Sequence, residues 1–136
     1  MARILSIDYG GKRTGIAVTD PMQIIANGLT TVDTKDIWTF LKNYFATERV
    51  EKVIIGLPTN WDDSDTHGTP LVKAFLVKFK KDHPAMPIET VDERNTSKMA
   101  VQSMIESGMK KKDRRNKKLV DEIAATIMLQ DYMQRQ

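Results

Sequence analysis

The run ILSIDYGGKRTGIAVT, residues 4–19, carries an apolar strand straight into a charge. Residues 3–8, RILSID, read as a strand that ends at Asp8. Residues 14–19, TGIAVT, form a second β-branched run. The five residues between them include Gly10 and Gly11, which predicts an antiparallel hairpin with a longer loop. Asp8 therefore stands where a strand ends, and sheets flanked by helices bind ligands at the carboxyl ends of their strands. Neighbouring glycines let a ligand approach the backbone, and a carboxylate there suits a divalent cation or a phosphate-bearing partner. An aspartate capping the turn through the following amides is the plainer reading of the same residue.

A third strand is expected over 24–32, with Gly28 at a bulge or bend. Asp33 or Thr34 then caps a helix whose Ile37, Phe40, Leu41, Tyr44 and Phe45 form one apolar stripe. KVIIGL, 52–57, is a near-continuous apolar strand of the kind buried on both faces, and Pro58 ends it. A polar loop precedes an apolar-rich helix over roughly 70–81. Residues 86–91, MPIETV, make a fifth strand running into Asp92, Glu93 and Arg94. Asn95 or Thr96 caps a helix that stops at Gly108, and residues 119–133 form the last helix. This order predicts an α/β domain with a mixed sheet, partly antiparallel and partly parallel, covered by helices.

At 136 residues the chain is expected to be one domain, residues 1–136. There are no cysteines, which excludes disulfides and cysteine zinc sites, and only His67 and His83 could serve a histidine metal site. No apolar run reaches the roughly 20 residues of a membrane span, and MARILSID lacks a signal-peptide pattern. A cytoplasmic protein with no membrane partner is expected. Charge is uneven: KKKDRRNKK, 110–118, has a net of +6 against +3 for the whole chain, leaving the remainder at −3. Such a patch, with Lys110, Lys111, Lys112, Arg114 and Arg115 at its centre, is the usual footprint of a nucleic-acid binder, although a solvated loop has the same composition.

Acids recur at informative places. Asp92 and Glu93 follow a strand, as Asp8 does. Asp121, in LVDEIAATIMLQ, shares a helical side with Ala125, Met128 and Tyr132, while Glu122 falls near Leu129. An acid on that side is costly to bury unless paired or bound to metal, although the first turn of a helix also favours it. Three such carboxylates on one sheet edge can hold two Mg²⁺ or Mn²⁺ ions about 4 Å apart for phosphodiester hydrolysis. Trp38 lies off its helix stripe and Trp61 lies in a loop, so both are candidates for exposure, and Trp61 for stacking on a base.

The segments IDYGGKRTGIAVTD (7–20), IIGLPTN (54–60), DERNTS (92–97) and VDEIAATIMLQDYM (120–133) resemble the YqgF family, also called RuvX. That family comprises pre-16S rRNA nucleases related to RuvC-type Holliday junction resolvases. The resemblance implies an RNase H-like fold: a five-stranded sheet of three antiparallel and two parallel strands. It implies an acidic triad of Asp8, Glu93 and Asp121, with Arg13, Arg94 and Thr96 supporting the site. It further implies precursor rRNA as the nucleic-acid partner, in an assembling ribosomal particle, with the protein a monomer or homodimer. The alternatives are a Holliday junction resolvase acting on four-way DNA and a non-catalytic assembly factor that binds nucleic acid. An ATP-binding protein of the actin and sugar-kinase superfamily also starts from a D-x-G hairpin. That architecture needs two such domains, and no second D-x-G hairpin occurs here. This chain departs from the family pattern at Asp63, where a glycine is usual, and at Asn95, where leucine is usual.

Overall fold

Five strands form one sheet in the order β3-β2-β1-β4-β5. They are β1 (Arg3–Tyr9), β2 (Arg13–Thr19), β3 (Ala26–Asp33), β4 (Val50–Leu57) and β5 (Ile88–Asp92). In this computed structural model the described residues are 2–57, 69–92, 102 and 116–135. The helices among them are α1 (Ile37–Thr47), α2 (Thr69–Asp82) and α3 (Lys117–Gln134). β1 pairs antiparallel with β2, and β2 with β3, while β4 runs parallel to β1 and β5 parallel to β4. This is the mixed sheet that the sequence predicts, with the three antiparallel and two parallel strands that the family resemblance implies. Among the described residues, no helix is long and apolar enough to cross a membrane.

The cores of β1 and β4 are apolar, apart from Ser6, because the sheet is covered on both sides. Leu5, Ile7, Ile16, Val18, Val53 and Ile55 point to one face, where Ile37 and Leu41 of α1 and Val72, Phe75 and Phe79 of α2 complete a buried core. Ile4, Ala17, Ala26 and Ile54 point to the other, against Ala125, Leu129 and Tyr132 of α3. The two layers differ in the size of their side chains. Aromatic rings fill the first; the second mixes alanines with Ile4, Ile54, Leu129 and Tyr132, and α3 comes close to the sheet at Gly15.

Glycines set that approach. A Cβ on Gly15 of β2 would overlap the backbone carbonyl of Asp121 and lie 3.0 Å from the Glu122 nitrogen. A Cβ on Gly28 of β3 would lie 2.6 Å from Oε1 and 2.9 Å from Cγ of Glu122. Gly28 also adjoins the expected irregularity: the β2–β3 register shifts so that Ile16 opposes Thr30 but Ala17 opposes Gly28, leaving Leu29 as the extra residue.

Several boundaries differ from the sequence reading. Tyr9 and Arg13 join the strands, so the hairpin loop shrinks from five residues to Gly10, Gly11 and Lys12. Thr34 closes it: its Oγ1 donates to the Gly10 carbonyl at 2.6 Å and its amide to the Lys12 carbonyl at 2.9 Å. Thr34 thus starts a 3-10 turn, Thr34–Asp36, ahead of α1, and Asp33 makes no side-chain cap bond. α3 begins at Lys117 rather than 119, because the Asn116 side chain accepts from the Lys118 and Leu119 amides. Trp38 is half-buried, not exposed: its ring stacks on Phe75 at 4.7 Å, and Lys78 Nζ lies 4.8 Å from its centroid. The helix expected before Gly108, and Trp61 with its loop, lie outside the described residues.

The two glycines give a direct comparison. Gly15→Ala meets backbone and is expected to cost about 1–3 kcal/mol of unfolding free energy, the usual range for overpacking. Gly28→Ala meets a side chain that can swing into solvent and is expected to cost less than about 1 kcal/mol. Urea unfolding of both variants checks the order; equal losses would show that α3 does not rest on Gly15.

Candidate active site

Strand alternation and helix rise bring the first and last predicted acids together. Ile4, Ser6 and Asp8 are successive residues on the α3 side of β1. The Ser6 hydroxyl, fully buried, donates to the Ala125 carbonyl of α3 at 3.0 Å. Moving two residues along β1 to Asp8 advances about 6.7 Å. Moving one turn back along α3 to Asp121 covers about 6 Å. The sheet register agrees: Asp8 is the cross-strand partner of Gly15, and Asp121 lies directly over Gly15. Asp8 and Asp121, which are 113 positions apart in the chain, are thus both neighbours of one glycine.

Arg13 completes the arrangement. It sits two residues before Gly15 on the same side of β2, and its Nε donates to Asp121 Oδ2 at 2.8 Å. Their side chains are 31% and 21% exposed, so the pair is at the rim and open to a ligand. Glu122 is turned elsewhere: its carboxylate lies over Gly28 of β3, on the far side of β2 from β1. Asp121 and Glu122 therefore point to different strands, the first toward Arg13 and Gly15 of β2 and the second toward Gly28 of β3.

The opposite end of α3 is tied down by a second polar group that the sequence did not flag. Tyr132 OH donates to Glu89 Oε2 at 2.8 Å and accepts from Lys52 Nζ at 2.8 Å. The same ammonium lies 5.4 Å from the Tyr132 ring centroid. The Tyr132 hydroxyl and the nearby Glu89 carboxylate raise the Lys52 pKa above its ordinary value. Ser6 was missed as well. Its only sequence signal is a hydroxyl in an apolar run, two residues before the strand-end acid.

Glu93, Arg94, Thr96, Lys110, Lys111, Lys112, Arg114 and Arg115 lie outside the described residues. Glu93 directly follows Asp92, the last residue of β5. Because β4 separates β5 from β1, that strand is about 10 Å from β1 across the sheet. Among the described residues, no cluster of three acids, histidines or cysteines could hold a metal. Asp8 and Asp121 supply hard oxygen donors, which suits Mg²⁺ or Mn²⁺, ions that use few carboxylates and keep water or substrate as their other ligands.

The RuvX family, described as a Holliday junction resolvase, matches residues 2–135. A protein of Flavobacterium psychrophilum named "Putative pre-16S rRNA nuclease" is 59% identical, covering 99% of this chain and 98% of its own. Proteins given the same name in Bacteroides fragilis and Porphyromonas gingivalis are 54% and 47% identical, each covering 98% of this chain and at least 96% of its own. Among solved structures, Thermus thermophilus RuvC in complex with a Holliday junction substrate superposes with a TM-score of 0.56 over 99% of this chain and 96% of that one. At 16% identity this similarity establishes the shared RNase H-like fold.

The Arg13–Asp121 pair is partly exposed, and such pairs contribute about 0–1 kcal/mol. Asp121→Asn is therefore expected to lower the unfolding free energy by no more than about 1 kcal/mol. A loss several times larger in chemical denaturation would make Asp121 a structural acid and remove it from the site.

Proposed function

This chain belongs to the RuvX family, and we propose that it is a metal-dependent nuclease acting in 5′-end maturation of precursor 16S rRNA. The observation that supports this reading is that Asp8 pairs with Gly15 while the Asp121 backbone lies over the same glycine. Two acids at one rim repel unless cations lie beside them, and Arg13 supplies one such charge to Asp121. A nuclease needs them to hold cations. The names of the relatives supply the RNA and its maturation.

In this reading Asp8 and Asp121 hold the divalent ions together with Glu93. Glu89 and Val91 oppose Ile54 and Gly56 on the α3 side of the sheet, and counting on by two supports Glu93 as the third member. When bound, two such ions activate a water and stabilise the leaving oxygen. The protein's own groups bind and orient. Arg13 stands at the rim to meet a phosphate, with Arg94 and Thr96 proposed beside it. The basic run Lys110, Lys111, Lys112, Arg114 and Arg115 is proposed to grip the nucleic-acid backbone. Lys117 and Lys118, its last two cations, open α3, where the positive end of the helix dipole already favours an anion. Contacts of this kind position a strand without reading bases. Sequence selection is then left to the assembling ribosomal particle.

Resolution of four-way DNA is the second reading, favoured by the fold shared with RuvC in its junction complex. One assay offering single-stranded RNA and a four-way junction at equal concentration in Mn²⁺ separates the two. Weak, salt-sensitive cleavage of RNA with the junction left whole is expected, and symmetric nicking of the junction alone would move the protein to the resolvases. Asp8→Asn keeps the shape but removes the charge, and is expected to lower cleavage by roughly a hundredfold or more. Glu122→Gln is expected to stay within a few fold of wild type. Wild-type cleavage by Asp8→Asn, or cleavage that survives excess chelator, would overturn the metal mechanism. Replacing the five basic residues with glutamine should also flatten the salt dependence of RNA binding, by up to about 0.7 per lost contact in log–log slope.

A further inference from the structure

Arg13 engages Asp121 in an unusual way for an ion pair at a rim. It meets Oδ2 through Nε alone, the inner nitrogen of the guanidinium. Among the described residues, this leaves Oδ1 of Asp121 and both terminal amino groups of Arg13 without a hydrogen-bond partner. The base of the arginine is fixed as well. Arg13 is the first residue of β2, paired with Asp33 of β3, and the hairpin turn before it is locked by Thr34. A short, anchored strand end thus holds a charged donor against a helix side chain that cannot drift, since Ser6 and Gly15 fix α3 one turn away and directly below.

We infer that Arg13 is a positioning residue with two ends: Nε sets the orientation of Asp121 so that Oδ1 is presented to a divalent cation, while the terminal amino groups take a non-bridging oxygen of the substrate phosphate. The inference rests on the nuclease reading above and deepens it. A carboxylate with one oxygen already oriented loses less rotational freedom when the other binds a cation, and removal of such outer partners commonly weakens metal affinity 10–100-fold. The planar guanidinium suits the double task because its donors are held in one rigid fork, which lysine lacks. Substrate and cation thereby meet on one side chain, so a phosphate seated on Arg13 lies next to the carboxylate that holds the cation.

The test measures Mn²⁺ binding by titration calorimetry without nucleic acid, so it does not depend on turnover. Wild type is compared with Arg13→Gln, Arg13→Lys and, as a neighbouring charge control, Lys12→Gln. Arg13→Gln is expected to raise the Mn²⁺ dissociation constant roughly tenfold. Arg13→Lys should recover less than about threefold of that loss, because charge without the fork does not orient Oδ2. Lys12→Gln should bind as wild type. In saturating Mn²⁺, Arg13→Gln should also raise the KM for an RNA oligonucleotide. If Arg13→Gln binds Mn²⁺ as wild type or more tightly, or if Arg13→Lys restores full affinity, the positioning role is wrong while the nuclease reading stands. An unchanged KM would remove the phosphate contact. Failure of the wild type itself to bind Mn²⁺ would overturn both.

Discussion

The rest of the architecture depends on how closely α3 lies against β2. A helix packed on a sheet normally keeps its distance through the side chains between them. Here Gly15 removes one such side chain, and the backbone of Asp121 occupies the space. Ala17 in the sheet and Ala124 and Ala125 in the helix, all buried, extend the thin layer along the helix. The buried Ser6 hydroxyl then sets the helix along its axis by holding the Ala125 carbonyl. Depth is fixed by an absent atom and register by one hydrogen bond. Neither constraint involves the carboxylates, so the acids are placed by the scaffold rather than by each other.

The two faces of the sheet divide the work. On the α1 and α2 side, Phe75 touches Tyr9, Trp38 and Phe79, and Phe79 lies near Phe45 and His83. That aromatic layer buries large apolar surface and contributes most to stability. The α3 side buries smaller groups and spends its geometry on placement. Its helix is held near one end by the Arg13–Asp121 contact and near the other by the Lys52–Tyr132–Glu89 group.

Much of this was legible in the sequence, and the remainder failed for identifiable reasons. β1, β2 and β4 were readable because apolar runs bounded by glycine or proline are local signals. The stripe of α1 was readable because Ile37 and Leu41 repeat at helical spacing, and both are buried. Asp8 stood out as a charge ending an apolar run. The wheel separates Asp121 from Glu122, and the structure turns the two toward different strands. What could not be read was contact between distant positions. Gly15 looked like an ordinary residue in a β-branched run; only the helix more than a hundred positions later explains it. Trp38 failed likewise, since a wheel shows which side of a helix it occupies but not that Phe75 waits there. The start of α3 was read two residues late because Lys117 and Lys118 belong by composition to the basic run, whereas Asn116 caps the helix before them.

The proposed carboxylates come from opposite ends of the chain, Asp8 on the first strand and Asp121 on the last helix. Synthesis releases the amino-terminal strands first. A nascent chain can pair β1 with β2 and β4 and close the aromatic face before α3 is free to dock. Until α3 docks, Gly15 faces solvent and Asp8 has no partner acid across it. On the proposed assignment, a half-made protein, or a fragment clipped ahead of the final helix, lacks Asp121 and so the complete set of acids.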